Sequence, residues 1–505
     1  MPVFAAVDIG SNSVRLSVAE LRRGRLISLH QDREVTRLGE GVFRDGHLNP
    51  QAMARSLKVL RRFNRTVQSY AVDRTRVLAT SALRDSVNGR IFAEWVKSAT
   101  GWTLEIISGL EEGRLIHLGL LASLRARPAK MMLIDVGGGS CELTFSERGH
   151  IKEIVTLPLG AVRLTQEFIR RDPPGKEDLK RLREFIAEET ARIPRLLSRS
   201  SVGVAIATSG TAAALAGAAG SLKLGGNQVS RQAMTKLAKR LAKMTQRQRA
   251  AIKGINSKRA EIVIAGAAVY RHLMEVCGLR AFRYSPLGLR DGILAQMAAE
   301  YDQHTRSHQQ LESDRQDILL NITRRYGANL AHADHVRSLV WALFDQTRSL
   351  HGLNKNFREW IGAAAMLYEV GNYVNPVGRH RHAYYIVSHS ELFGFTPLER
   401  KIMATIARFQ GKSKPQLRDR LIKILPAPVR VDTIKATALL RVARALNQGR
   451  RQAVQTIRAT PREGEIIVTV KARRRASVDL ELWAGEKEVP YFREVFGREL
   501  RFRLD

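Results

Sequence analysis

Cysteine is nearly missing from this chain of 505 residues, where only Cys141 and Cys277 occur. Two thiols cannot build a disulfide framework, so a disulfide-stapled secreted scaffold is excluded and a reducing compartment is expected. No apolar run approaches the roughly 18 residues that a membrane-spanning helix needs. The opening MPVFAAVDIGSNS lacks a basic segment with a long apolar stretch behind it, so a cytoplasmic protein with no membrane partner is expected. Aromatic residues amount to 6% of the chain, and no zinc-finger, RRM or KH spacing is present, which argues against a specific nucleic-acid partner. Acidic residues are also scarce: 48 stand against 83 Lys and Arg, leaving a net charge of +35. A charge of that size points to a polyanionic partner.

What the chain does contain is one phrase written twice. Residues 7–16 read VDIGSNSVRL and residues 134–143 read IDVGGGSCEL. An apolar run precedes each copy and an alternating segment follows, so each reads as strand, tight turn, strand. A repeated supersecondary unit implies a duplicated domain with a cleft between its halves. Glycine lets backbone N–H groups converge on an anion without a Cβ in the way. Ser11, Asn12 and Ser13 in the first loop, and Gly137, Gly138, Gly139 and Ser140 in the second, are therefore candidate phosphate binders. The leading Asp8 and Asp135 sit at strand ends, where a carboxylate can hold a hydrated cation.

The surrounding chain alternates strands and helices through about residue 300, which gives an α/β class. Beyond it the pattern is helical nearly throughout, after a polar stretch, YDQHTRSHQQLESD, that reads as a linker. Near 450 the texture changes again. EIIVTVKA and SVDLELWA alternate with period two and predict a terminal hairpin. The expected units are 1–125, 126–300, 310–448 and 449–505.

Within this frame several side chains fit phosphate chemistry. In SGLEEGRLI, Ser108 and Glu111 have capping-box spacing, which leaves Glu112, about 100° further round the helix, free to face a cleft. Asp135 and Glu142 lie seven apart across one hairpin and can approach the same hard cation, which suits Mg²⁺. At the repeat position of Glu142 the first loop carries Arg15, a direct cation for phosphate. Arg84 follows a strand end and is a candidate clamp for a terminal phosphate. Ser209, Gly210 and Thr211 lie where a strand turns into a helix, with their N–H groups and the helix dipole favouring an anion.

Taken in order, DIGSNSVRL, SGLEEGRLI, IDVGGGSCEL, PLGAVRLTQEF, ATSGTAAALAG and SPLGLRDGIL resemble the exopolyphosphatase and guanosine pentaphosphate phosphatase family of the actin-like superfamily. The resemblance covers about residues 1–300 and continues more loosely into a helical region similar to the family's HD-like domain. It implies two ribonuclease-H-like domains around a cleft, an all-helical HD-like domain and a small α/β C-terminal unit. It also implies Mg²⁺ and water, with removal of terminal phosphate from inorganic polyphosphate or from guanosine pentaphosphate. Guanosine tetraphosphate is a further ligand to expect, and a homodimer is the expected assembly. The resemblance assigns catalysis to Glu112 and metal or water positioning to Asp135 and Glu142, and leaves Arg163 and Arg290 open between binding phosphate and bracing the halves.

The helical region invites a metal reading that its residues do not favour. His335, His380, His382 and His389 occur there, but the central pair of an HD site is replaced by Tyr368-Glu369, and Gln410 stands where relatives often carry His. A helical scaffold is expected instead, with Arg379, His380, Arg381 and His382 in GRHRHAYY as candidate cations of a polyphosphate channel. The intact Glu112, Asp135 and Glu142 favour an enzyme over a binding protein that senses polyphosphate or alarmones.

Overall fold

The computed structural model describes residues 1–124, 127–194 and 202–505. The chain divides into two compact units, Met1–Asp314 and Arg315–Asp505. The boundary expected between residues 125 and 126 lies outside the described residues.

The first unit contains two sheets built alike. Strands β1 (Val3–Ile9), β2 (Val14–Arg22) and β3 (Arg25–Glu34) form an antiparallel meander, and β4 (Arg74–Ala79) and β5 (Leu104–Ile106) extend it in parallel, giving the order β3-β2-β1-β4-β5. In the second sheet β6 (Lys130–Val136), β7 (Cys141–Glu147) and β8 (His150–Leu157) repeat the meander. Strand β9 (Val204–Thr208) pairs in parallel with β6, and β11 (Ala281–Tyr284) with β9, while the short β10 (Gln228–Ser230) adds an antiparallel edge. This is the ribonuclease-H-like arrangement, present twice. The central strands read VFAAVDI and KMMLIDV, and all but the first residue of each is buried. Such near-continuous apolar runs are what strands covered on both faces require.

The two copies of the repeated phrase match in geometry as well as in letters. Asp8 lies opposite Arg15 across β1–β2, and Asp135 lies opposite Glu142 across β6–β7. Each turn is closed by the same bond: Gly10 N–H donates to the Ser13 carbonyl at 3.1 Å, and Gly137 N–H to the Ser140 carbonyl at 3.0 Å.

Between the sheets run two helices, Gly109–Ser123 and Leu289–Tyr301. Their Leu115, Ile116, Leu289 and Ile293 share one core with Phe4, Ala6 and Leu78 of the first sheet and Met131, Leu133 and Ile206 of the second. The helices cross where Gly119 faces Gly292. A Cβ on Gly119 would stand 2.5 Å from the Gly292 nitrogen, and one on Gly292 would stand 1.9 Å from the Leu115 carbonyl oxygen. Backbone touches backbone here, so neither position admits a side chain.

The second unit packs the helices Leu330–Gln346, Asn356–Leu367, Arg379–His389, Pro397–Arg408 and Ala427–Ala445 with a three-stranded sheet of order β12-β13-β14 (Val454–Pro461, Glu465–Ala472, Glu499–Leu504). One core joins them: Leu343, Ile361, Ile402 and Leu439 from helices meet Val468, Val470, Phe492 and Leu500.

Two sequence expectations are corrected. The terminal hairpin forms between β12 and β13, and the segment SVDLELWA belongs to a helix, Asp479–Glu486. Its inward face holds a carboxylate: Glu481 is 3% exposed and accepts from Gly449 N–H at 2.9 Å, while Leu480 and Trp483 stand outside. A buried acid and exposed apolar residues disguise a helical period as alternation. The polar stretch read as a linker is helical from Arg306 onward. Leu311 is buried in it, and the Gln310 amide donates to the Gly149 carbonyl at 2.8 Å.

Placing a methyl group at the helix crossing forces the backbones apart. Gly292→Ala is expected to destabilise the protein by roughly 1–3 kcal/mol, the range for overpacking. A urea unfolding midpoint equal to that of the parent would show that the crossing is looser than described.

Candidate active site

The two loops face a cavity of about 220 Å³ within the first unit. Each loop has its carbonyls tied back into neighbouring segments. The Ser11 and Asn12 carbonyls accept from Gly39 and Arg37, and those of Gly137 and Gly138 from Ala161 and Val162. In a planar trans peptide the following N–H points the opposite way. The amides of Asn12, Ser13 and Gly138 are thereby turned away from those segments, and these residues line the cavity.

Acidic groups gather at the cavity. Asp8, Glu112 and Asp135 line it, and Glu142 lies beside them, 2% exposed. Glu112 Oε2 and both Glu142 oxygens are sealed from solvent without hydrogen-bond partners. Burial pushes all four carboxyls up from their ordinary range. Glu142 and Glu112 repel as neighbours, and Asp135 adds to both shifts. Neutral donors offset part of this: the Thr208 hydroxyl lies 3.1 Å from Asp135, and Ser140 acts on Glu142. Nearest to Glu112 among the cations is Arg84, 3.9 Å away and anchored on the Ile107 carbonyl at 3.0 Å. Arg84 thus stands beside the expected catalytic carboxylate, outside the cavity lining itself.

The same cavity is also lined by arginines. Arg15 from β2, Arg33 from β3, Arg259 from the turn Ser257–Ala260 and Arg290 from the helix Leu289–Tyr301 all line the cavity. Among the described residues, no carboxylate lies within ion-pair distance of any of the four. Burial, with Arg33 and Arg15 nearby, brings Arg259 down to about 9, and burial with Arg15 nearby lowers Arg290. Arg290 also donates to the Leu16 carbonyl at 2.8 Å, so it both braces and lines the site.

Arg33 and Arg259 were missed in the sequence. Arg33 had a usable signal, because it pairs directly with Arg15 across β2–β3. Arg259 had none: it reaches the site through the fold and lies over Gly210, where a Cβ would stand 1.8 Å from its guanidinium.

The remaining expected residues are placed as follows. Ser140, Ser209, Gly210 and Thr211 line the cavity. Ser209 has a left-handed backbone, φ 76°, and its hydroxyl donates to the Val136 carbonyl at 2.8 Å. Strain of this kind persists where surrounding structure over-determines it. Gly139 lies against Phe43 and Ser81 rather than in the lining. Arg163 braces: it donates to the Gly139 carbonyl at 2.8 Å, pairs with Asp85 and covers the Phe43 ring. Arg379, His380, Arg381 and His382 form the first turn of the helix Arg379–His389 in the second unit.

The capping box at Ser108 is only half built. The Ser108 hydroxyl accepts from Glu111 N–H at 3.1 Å, but the Glu111 carboxylate holds Arg114 bidentately at 2.8 Å instead of reaching back. Arg114 is fully buried, so its charge is worth more to Glu111 than a second cap. Glu111 is still occupied structurally, and Glu112 is left for the cavity. Glu111→Gln is expected to cost on the order of 3 kcal/mol, because a buried guanidinium loses its bidentate counter-charge and keeps only Asp314 at 3.8 Å. Thermal melting together with turnover of the folded fraction checks this: a lower melting point with near-normal turnover is expected.

Comparison with known proteins agrees with this geometry. The sequence profile of the Ppx/GppA phosphatase family matches residues 17–301, and that of Ppx/GppA phosphatase domain III matches residues 315–486. The crystal structure of the Aquifex aeolicus Ppx/GppA family member is 27% identical, with a TM-score of 0.51, over 60% of this chain and 99% of its own. An exopolyphosphatase from Cytophaga hutchinsonii shares the fold at 24% identity and a TM-score of 0.55, over 59% of this chain and 98% of its own. No helix among the described residues is long and apolar enough to cross a membrane. Two matching profiles, laid over a duplicated loop that faces a cavity of buried acids and arginines, place this chain in the Ppx/GppA phosphatase family.

Proposed function

We propose that this member of the family is a Mg²⁺-dependent exopolyphosphatase, which removes the terminal phosphate of inorganic polyphosphate by attack of water. The observation that carries this reading is that buried carboxylates and four arginines gather at one cavity. Four unpaired arginines suit a run of phosphates, whereas one terminal phosphate needs fewer. The net charge of +35 supports a long polyanion as well, since each phosphate contact releases counterions.

The acidic groups fit a divalent cation. Their buried carboxylate oxygens lack partners, and like charges gathered without a counter-ion are costly. Among the described residues no three such groups converge into a complete cage. That suits magnesium, which keeps several waters and takes one or two carboxylates plus substrate phosphate. Asp135 and Glu142, paired across one hairpin, would hold it, with Asp8 lining the same cavity. When bound, it would neutralise charge on the phosphate oxygens.

The chain's own residues account for the rest of the step. The amides of the two loops fix the terminal phosphate. Glu112, ionised, orients a water and takes its proton as the water oxygen bonds to phosphorus and the bridging P–O bond breaks. The electron pair leaves on the end of the shortened chain, where Arg15, Arg33, Arg259 and Arg290 neutralise it. Guanosine pentaphosphate offers the same terminal anhydride, and it is the rival substrate.

The test is phosphate release from long polyphosphate and from guanosine pentaphosphate at matched concentrations of chain ends with Mg²⁺. Faster release from polyphosphate is expected, and release from the nucleotide alone would reject the assignment. Glu112→Gln is expected to lower turnover by about 10²–10⁴ while leaving polyphosphate binding largely intact. Asp135→Ala is expected to raise the Mg²⁺ concentration needed for half-maximal rate, and a Mg²⁺ curve like the parent's would remove Asp135 from the metal site.

A further inference from the structure

The second unit carries an exposed apolar run that its own packing does not use. Residues 373–378 read YVNPVG and are all exposed, just ahead of the helix Arg379–His389. Three of them are large and apolar: Tyr373 is 67% exposed, Val374 57% and Val377 82%. The outer face of the helix continues the run. Arg381 follows Val377 by four residues, and Tyr385, 65% exposed, follows Arg381 by one helical turn. Single exposed apolar residues are ordinary, but a group of them marks an interaction surface.

The charge around this run has one sign. No Asp or Glu occurs across residues 370–389, where two arginines and three histidines do. The Tyr326 ring meets the Tyr373 ring edge-on, with centroids 5.4 Å apart, so Arg324 and Arg325 lie beside the run as well. Both are exposed. Among the described residues no carboxylate lies within ion-pair distance of Arg324, Arg325, Arg379 or Arg381.

Projecting apolar groups ringed by unpaired cations fit the surface of an anionic bilayer. Such a surface takes up apolar side chains where headgroups meet acyl chains, and its negative potential attracts arginine. Tyrosine settles at the same boundary, ring inward and hydroxyl in water. Other polyanions fit less well. A single nucleic-acid strand stacks its bases on open aromatic faces, but Tyr385 is already stacked on His389 with centroids 4.5 Å apart, and Tyr373 is engaged by Tyr326. Inorganic polyphosphate would leave Val374 and Val377 in water. We propose that residues 373–377 and the outer face of the helix Arg379–His389 form a docking surface for an anionic lipid bilayer. The expected lack of a membrane partner rests on the missing spanning segment, and adsorption to a surface needs none.

The test is co-sedimentation of the full chain with vesicles of phosphatidylcholine containing one-third phosphatidylglycerol, and with vesicles of phosphatidylcholine alone. Binding to the anionic vesicles is expected. The double variant Val374→Ser, Val377→Ser keeps every charge and is expected to weaken that binding at least tenfold. Its melting should match the parent's, because both side chains stand in water. A second readout uses Val377→Cys carrying an environment-sensitive dye. Cys141 and Cys277 are buried, so the label goes to one site. The dye is expected to brighten on anionic vesicles, and this measurement decides alone if the double variant does not fold. Diffuse attraction from the net charge of +35, or an acidic protein as the true occupant, would give equal binding by parent and double variant and an unchanged dye. Either result overturns the proposal, as does failure of the parent to bind anionic vesicles.

Discussion

The contact on which the active site depends is the crossing of two helix backbones at Gly119 and Gly292. The helices Gly109–Ser123 and Leu289–Tyr301 supply the core shared by both sheets. One carries Glu112 in its first turn, the other Arg290 in its first turn. Van der Waals contact between backbones leaves no slack for side chains to take up. The separation of the halves, and with it the spacing of carboxylate from guanidinium, is therefore set by two missing methyl groups. Interiors packed this tightly transmit small displacements rather than absorbing them.

Duplication alone would have produced a symmetric cleft. The two loops share their turn hydrogen bond, their strand register and carbonyls tied into neighbouring segments. What distinguishes the halves is one register position, Arg15 in the first and Glu142 in the second. Around that difference one cavity collects both signs: Asp8, Glu112 and Asp135 line it with Glu142 beside them, Arg33, Arg259 and Arg290 line it with Arg15, and Asp8 lies opposite Arg15. Burial, and behind it repulsion between like neighbours, raises Glu112 and Glu142 and lowers Arg259 and Arg290.

The second unit handles charge differently. Its acids are taken: Glu369 by Arg450, Glu488 by Arg441, Glu481 by the Gly449 amide. Tyr368 is bonded to His332. With these carboxylates committed, Arg444 reaches Glu488 only at 3.4 Å, behind the two bonds of Arg441.

The fold of the first unit and the heart of its site were legible because the information is local. Strand, Gly/Ser turn and strand occupy ten consecutive residues, and the repeat states the same unit twice. Glu112 could be picked from its neighbour because helix geometry separates adjacent residues by about 100°. Other features were not local. The terminal segment SVDLELWA alternates on paper, yet a buried Glu481 turns toward Gly449, and only packing decides between helix and strand there. Arg33 becomes a site residue through the β2–β3 register, and Arg259 through a helix turn that reaches Gly210 from about 50 residues away in the chain. The sequence by itself determined the duplicated α/β scaffold, its Gly/Ser loops, Arg15 and the acids, since each is encoded within a few neighbouring residues. The tertiary structure alone decided that Arg33 and Arg259 join the cavity and that guanidiniums crowd Glu488 in the second unit. Both arise where distant segments converge, and convergence in space leaves no period or spacing in the chain.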